Sequence, residues 1–101
     1  MVNLYKLLAD PTRRTILSLT AKREYTQKEL VSSFDMSQPA IKKHIDMLID
    51  EELILIRREG KYNYYRLNES LFEKEAIEVK KEINRILESK LGRLKDFLEE
   101  E

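Results

Sequence analysis

The segment that opens at Ser37 carries the side chains with the most specific chemistry in the chain. Ser37 reads as a helix N-cap and Pro39 as a first-turn proline, and Gln38, Lys42 and Lys43 follow at helical spacing. A glutamine amide matches the edge of adenine, and a lysine ammonium reaches guanine acceptors or phosphate oxygens. We therefore expect this segment to contact the bases and phosphates of a DNA duplex.

A second group of side chains is placed to reach a duplex backbone. Thr26, like Ser37, stands at a predicted helix start, where a hydroxyl and backbone N–H groups converge on anions. The basic residues around Gly60 occupy a predicted hairpin, from which they can follow phosphates or a minor groove. Simpler interpretations remain open, namely capping for the hydroxyls and solubility for the charged side chains. The full set of candidate DNA-contacting residues is Thr26, Gln27, Ser37, Gln38, Pro39, Lys42, Lys43, His44, Arg57, Arg58, Lys61 and Tyr62.

The residues that would support catalysis or metal binding are missing or isolated. The chain has no cysteine, which excludes disulfides, thiolate metal sites and thiol redox chemistry. His44 is the single histidine, and we expect it to pack or to contact a phosphate rather than to bind a metal. There is no Ser/His/Asp set, no phosphate-binding glycine loop and no convincing carboxylate pair. We predict no catalytic residue, no metal and no cofactor.

The elements that must hold these residues can be located from capping signals and apolar spacing. Asp10 and Pro11 start a helix that follows a shorter one, and residues 26–29 (TQKE) form a capping box for a third helix ending near Ser33. The fourth helix begins after Ser37. On a helical wheel its apolar residues share one face, opposite the lysines; these are Ile41, Ile45 and Leu48.

The second half of the chain predicts a hairpin and one long helix. Residues 53–56 and 62–67 are β-branched and aromatic, on both sides of the charged turn 57–61, and at least one of the three tyrosines at 62–65 should be buried. Asn68 or Ser70 caps the last helix. The predicted fold is mainly α with a small β-hairpin, a winged helix-turn-helix of order α-α-α-α-β-β-α, as a single domain over residues 1–101.

The apolar stripe of the last helix is too long for a domain of this size to cover. A second copy of the chain should bury it, so we predict a homodimer through residues 1–9 and 69–101. Two-fold symmetry would then place two recognition helices about 34–36 Å apart, one helical turn of DNA. The expected interface residues are Leu4, Tyr5, Leu8, Val79, Ile83, Ile86, Leu87, Leu91 and Leu94.

Charge and composition agree with this division of the chain. The formal net charge is zero, but residues 1–68 hold 12 Lys or Arg against 9 Asp or Glu, and residues 69–101 hold 7 against 10. The basic part therefore contains the candidate DNA-contacting residues and the acidic part contains the predicted dimer helix. With no apolar run long enough for a membrane span and no cysteine, we expect a soluble cytoplasmic protein.

Three blocks of the sequence resemble the ArsR (ArsR/SmtB) family, in the order and spacing of that family. They are residues 8–17 (LADPTRRTIL), residues 37–41 (SQPAI) with His44 and Ile45, and residues 57–61 (RREGK) leading to residues 65–67 (YRL). The resemblance covers about residues 4–68. It implies a dimeric repressor that occupies a palindromic operator and leaves it when an effector binds, with terminal helices forming the dimer interface.

The chain departs from that family at two places. Lys42 and Lys43 replace the serine and histidine that are common in the recognition helix, and residues 29–34 (ELVSSF) lack the cysteine motif of the metal sensors. The effector therefore stays unknown. The alternative hypothesis is a winged-helix module that binds a protein, in which the two lysines are only solvated; the steep salt dependence of DNA binding would separate the two.

Overall fold

Five helices and three short strands make up the fold. The computed structural model describes the backbone of residues 2–99 and the side chains of residues 2–90. In chain order the elements are α1 (Leu4–Leu8), α2 (Pro11–Lys22), β1 (Tyr25–Thr26), α3 (Gln27–Ser32), α4 (Gln38–Asp50), β2 (Ile54–Glu59), β3 (Tyr62–Leu67) and α5 (Glu69–Glu99). The predicted winged helix-turn-helix is confirmed, with α3 and α4 as the helix-turn-helix, β2 and β3 as the wing, and one additional strand, β1.

The helix starts follow the predicted capping signals. The Asp10 carboxylate accepts a hydrogen bond from Thr12 N at 2.7 Å, at the N-cap of α2. Ser37 Oγ accepts one from Ala40 N at 3.3 Å, at the N-cap of α4. At the start of α5 it is Asn68, rather than Ser70, whose side chain accepts from a backbone N–H, that of Leu71. Each cap satisfies a backbone donor that the helix itself leaves unpaired.

The hairpin is longer and its turn tighter than the sequence suggested. Arg57 and Arg58 lie within β2, paired with Tyr64 and Asn63 of β3, so they are strand residues and not part of the turn. Only Gly60 and Lys61 separate the strands. Gly60 has a φ of 60° at the first central position, which is the geometry that a two-residue hairpin requires of glycine.

The third strand extends the wing back toward the helices. Tyr25 and Thr26 form β1 and pair with Tyr65 and Tyr64 of β3, giving the antiparallel order β1-β3-β2. Two residues are too few to show an alternating pattern, which is why the sequence predicted only a hairpin. The pairing ties the start of α3 to the wing.

The core lies between the helices and the inner face of this sheet. Among the tyrosines of the wing, Tyr65 is buried, as expected for at least one of them. Leu4 is 3% exposed and belongs to this core, and its predicted place in the dimer interface remains a prediction. The buried apolar residues are Leu4, Leu7, Ile16, Leu17, Tyr25, Leu30, Ile41, Ile45, Leu48, Leu53, Ile54, Tyr65 and Leu67.

The link from α4 to the wing is a compact helix-ending motif. Leu53 N donates to Leu48 O and Glu52 N to Ile49 O, both at 2.9 Å. This is the Schellman pattern, and it places Glu52 at φ 62°, in the left-handed region where glycine is usual. Asn68 Nδ2 donates to the Glu52 carbonyl at 2.9 Å, which joins this turn to the start of α5.

Candidate DNA-binding surface

Helix α4 has one buried side and one exposed side, as its sequence predicted. Ile41, Ile45 and Leu48 are at most 1% exposed, and they fix the rotation of the helix about its own axis. The side chains on the other side are exposed. We call these four residues the recognition face: Gln38, Pro39, Lys42 and Lys43.

The charges on α4 are not all equally available. Lys42 Nζ lies 3.1 Å from an oxygen of Asp46, one turn further along, in an exposed ion pair. Such a pair contributes little stability, so a phosphate can replace the carboxylate at small cost. Lys43 is exposed and takes part in none of the ion pairs found among residues with described side chains. Lys43 is therefore the more available cation of the two.

The start of α3 lies beside this face and is held by its own capping box. Glu29 N donates to Thr26 Oγ1 at 3.2 Å, and Thr26 N donates to a Glu29 carboxylate oxygen at 2.9 Å. The hydrogen bond from Thr26 N lowers the pKa of Glu29 below its usual value, with Arg23 adding to the effect. Gln27, the first residue of α3, is partly exposed and lines a cleft shared with Gln38 of α4. The phosphate contacts expected of Thr26 and Ser37, and the DNA contact expected of Gln27, remain predictions.

Arg57 of the wing is already held by protein groups. Its Nε donates to Glu24 at 2.9 Å and its Nη1 to Glu59 at 2.6 Å, and the guanidinium lies 4.5 Å from the centre of the Tyr64 ring. The two carboxylates raise the pKa of Arg57, although an arginine is fully charged at any physiological pH in any case. A DNA contact by Arg57 would have to compete with Glu24 and Glu59.

The rest of the wing is more open. Arg58 Nε donates to the side-chain oxygen of Asn63 at 3.1 Å. Because this amide is neutral, it does not compensate the charge of Arg58. Lys61 lies in the turn, with its ammonium 5.7 Å from the centre of the Tyr62 ring, and Tyr62 is 53% exposed. The tip of the wing therefore presents a lysine, an arginine and an aromatic side chain, and their contact with DNA remains a prediction.

His44 is placed differently from the other candidates on α4. It is only partly exposed, and its Nδ1 lies 3.2 Å from Nη1 of Arg13 on α2. Arg13 is a functional candidate that our sequence reasoning missed. A signal was present, since Arg13 shares helical spacing with the buried residues Ile16, Leu17 and Thr20 of α2.

The surface expected to form the dimer interface is apolar and open in one protomer. On α5, Ile83, Ile86 and Leu87 are 47%, 57% and 49% exposed. Tyr5 of α1 is 56% exposed, whereas Leu8 and Val79 are half-buried against the core. The side chains of Leu91 and Leu94 lie outside the described residues. We call the described residues of this predicted interface that are exposed or half-buried the dimer face: Tyr5, Leu8, Val79, Ile83, Ile86 and Leu87.

A cleft of about 750 Å³ separates α1 from α5 beside the dimer face. Val2, Leu4, Tyr5, Val79 and Ile86 supply its apolar lining. Its polar lining residues are Asn3, Glu75, Glu78 and Glu82. Glu78 and Glu82 pair with Lys81 and Arg85, so the rim is partly neutralised.

Two further findings concern the described part of the chain. No group of three or more His, Cys, Asp or Glu residues is arranged there to hold a metal ion. Within the same residues, none of the helices combines the length and the apolar character needed to span a bilayer.

Helix α4 presents its polar side outward, and together with α3 and the wing it forms a winged helix-turn-helix. This arrangement defines the chain as a DNA-binding regulator of the winged helix-turn-helix class. Comparison with known proteins agrees. The family model described as "Bacterial regulatory protein, arsR family" matches residues 10–54. The chain belongs to the ArsR family, as the three sequence blocks indicated, and it is a DNA-binding transcriptional regulator.

Individual relatives extend the match beyond those residues. The chain is 36% identical to the transcriptional repressor SdpR of Bacillus subtilis over 73 residues, which are 72% of this chain and 81% of that protein. It is 34% identical to the arsenical resistance operon repressor of Staphylococcus aureus over 68 residues, covering 67% of this chain and 65% of the repressor, slightly under two thirds. A crystal structure of an ArsR family transcriptional regulator superimposes with a TM-score of 0.66 at 31% identity, over 82% of this chain and 84% of the other.

Proposed function

We propose that this chain forms a homodimer that binds a palindromic duplex operator and represses transcription in the cytoplasm. Each protomer contributes one domain over residues 1–101, of which residues 1–9 and 69–101 supply the dimerisation helices. Two similar proteins, SdpR and the staphylococcal protein, are named as repressors, which supports this direction of regulation. No catalytic step belongs to the proposal.

The observation that carries the proposal is the division of α4 into two sides. Burial of Ile41, Ile45 and Leu48 removes any freedom of the helix to roll, so Gln38 and Lys43 are held outward before any partner arrives. A major groove is wide enough to admit such a helix, and a glutamine and a lysine near its N-terminus match base edges and phosphates. The exposed polar side therefore has the geometry of a preformed reader of DNA.

The dimer is supported by the amount of apolar surface that one protomer leaves open. Ile83, Ile86 and Leu87 are each about half exposed on a helix that continues to Glu99. Full burial of a fully exposed side chain of this kind contributes about 1.5–3 kcal/mol, so burying the exposed half of each of these side chains on both protomers contributes about half of that per side chain and favours association. Association of two like faces also generates the two-fold symmetry that a palindromic operator requires.

The stimulus that releases such a repressor has to act without thiolate chemistry. The chain has no cysteine, so it has no thiolate that could coordinate arsenic or a soft metal ion. The α1–α5 cleft beside the dimer face is a candidate position for another kind of effector, because a ligand there would alter the dimer and with it the spacing of the recognition helices.

Selection of bound duplexes from a random pool tests the proposed function. We expect a recovered sequence with two inverted half-sites whose centres lie about one helical turn apart, and tight binding that falls steeply with salt. Sedimentation of the complex should give two chains per duplex. Recovery of no sequence preference, with weak binding at every salt concentration, would contradict the proposal and favour the protein-binding alternative.

A further inference from the structure

The buried guanidinium of Arg13 joins three elements of the fold at one point. Its side chain is 8% exposed, and its Nε and Nη2 donate to the carbonyls of Leu7 and Lys6, both at 2.9 Å. These carbonyls lie in the last turn of α1, and the Lys6 carbonyl also accepts a hydrogen bond from Ala9 N at 3.3 Å, so Arg13 is its second donor. Arg13 therefore completes the end of α1, and α1 in turn fixes the orientation of the guanidinium.

The remaining edge of that guanidinium faces α4. Arg13 Nη1 lies 3.2 Å from His44 Nδ1 and 3.7 Å from the sulfur of Met47. Because arginine has donors only, the contact requires Nδ1 of His44 to be the acceptor, with the ring neutral and its proton on Nε2. The helix that carries the recognition face is thus joined to α1 through the Arg13 guanidinium and Nδ1 of His44.

We propose that Arg13 and His44 form a positioning contact that holds α4 relative to α1, and that protonation of His44 breaks it, so that DNA binding weakens in mild acid. A proton on Nδ1 replaces the acceptor by a donor and places two cations side by side in a partly buried site. The inference rests on the proposed DNA-binding function. It adds a way to regulate that function, because His44 stands on the same helix as Lys43.

The charged groups around His44 have opposite effects on a positive charge at its ring. Arg13 disfavours the imidazolium, whereas Asp10, at the N-cap of α2, attracts it. Burial alone would raise the pKa of Asp10, but the hydrogen bonds from the backbone N–H groups of Thr12 and Arg13, together with the Arg13 charge, bring it below its usual value. The residues three and four positions from His44 on α4 do not titrate, being alanine, isoleucine, methionine and leucine. The next charged side chains outward line a cleft beside Met47 and are Lys6, Asp50 and Glu51.

The direction in which DNA affinity changes on acidification distinguishes a positioning contact from a simple charge effect. If His44 only added charge near a phosphate, its protonation would strengthen DNA binding, as any added cation does. If His44 positions α4, the same proton weakens binding.

Fluorescence anisotropy at constant salt tests the proposal, with the duplex recovered by selection as the probe. From about pH 8 to about pH 5.5 we expect the wild-type affinity to fall by about fivefold or more, the lower end of typical coupling between two sites. His44→Gln keeps an acceptor for Arg13 but does not titrate, so its affinity should change by less than about twofold. A wild-type affinity that stays constant or rises in acid, or a His44→Gln variant that is equally acid-sensitive, would overturn the proposal.

Arg13→Lys examines the other partner, because a lysine cannot reach three acceptors at once. We expect weaker binding at both pH values and little remaining acid sensitivity. Arg14→Lys is the control: the exposed Arg14 donates to the Leu8 carbonyl at 2.5 Å but does not contact His44, so this variant should keep the wild-type acid sensitivity. Circular dichroism checks that both variants are folded. If Arg13→Lys does not fold, the comparison of wild type with His44→Gln still decides the question.

Nitrogen-15 NMR of the imidazole tests the contact without DNA, and the assignment is unambiguous because the chain has one histidine. At about pH 8 we expect the proton on Nε2 in the wild type and a change in the ring signal in Arg13→Lys. A proton on Nδ1 would refute the contact even if the chain binds DNA. Failure to recover any duplex, with the expected ring signal present, would instead refute the proposed function and with it the regulatory role.

Discussion

Replacing Lys43 with alanine removes the most available cation of the recognition face. Each protomer loses one phosphate contact, so a homodimer on its operator loses two. Because the log–log salt slope is about −0.9 per phosphate neutralised, the slope should become less steep by about 1.8. Between about 50 and about 200 mM salt, the wild type should therefore lose about twelvefold more affinity than Lys43→Ala does.

Asp46→Ala should act in the opposite direction on the same helix. It releases Lys42 from an ion pair of 3.1 Å and removes a carboxylate from the neighbourhood of the DNA. We expect tighter binding to every duplex, including mixed sequences, and hence a smaller ratio of specific to non-specific affinity. This outcome would show that Asp46 limits indiscriminate binding.

Titrations of labelled operator at four or more salt concentrations measure both effects. Lys80→Ala is the matched control, since it removes the same charge from an exposed position on α5. The control should keep the wild-type slope if α5 lies away from the DNA. Equal slopes for wild type, Lys43→Ala and Lys80→Ala would refute the assignment of the recognition face, and an equal loss in both variants would show a net-charge effect only.

Three more outcomes are expected. Glu24→Gln weakens the 2.9 Å contact with Arg57 and should tighten binding to a mixed-sequence duplex a few-fold in anisotropy titrations; no change would mean that Arg57 stays away from DNA. Glu52→Gly relieves a left-handed φ of 62° and should raise the free energy of unfolding in urea by about 0.5–1 kcal/mol, whereas a loss would mean that the glutamate makes a compensating contact. Ile83→Glu combined with Ile86→Glu places four like charges in the proposed dimer face and should give a monomer in sedimentation; a persistent dimer would disprove that face.

Much of the fold followed from short-range signals in the sequence. The capping box at Thr26 and Glu29, the N-cap at Ser37 and the glycine of the hairpin turn each specify a local backbone geometry. These signals are reliable because the groups that interact are at most four residues apart, so the chain holds them near each other before it folds. The two-sided character of α4 followed from helical periodicity for the same reason.

Only the tertiary structure decided the contacts between residues that are distant in sequence. Glu24 meets Arg57 across 33 positions and Arg13 meets His44 across 31, which makes one basic candidate less available and turns another candidate inward. The pairing of β1 with β3 and the burial of Leu4 in the protomer core belong to the same group. A sequence states which side chains a helix carries and on which side, but the partner of each charge depends on how the packed elements meet, and that is set by the core as a whole.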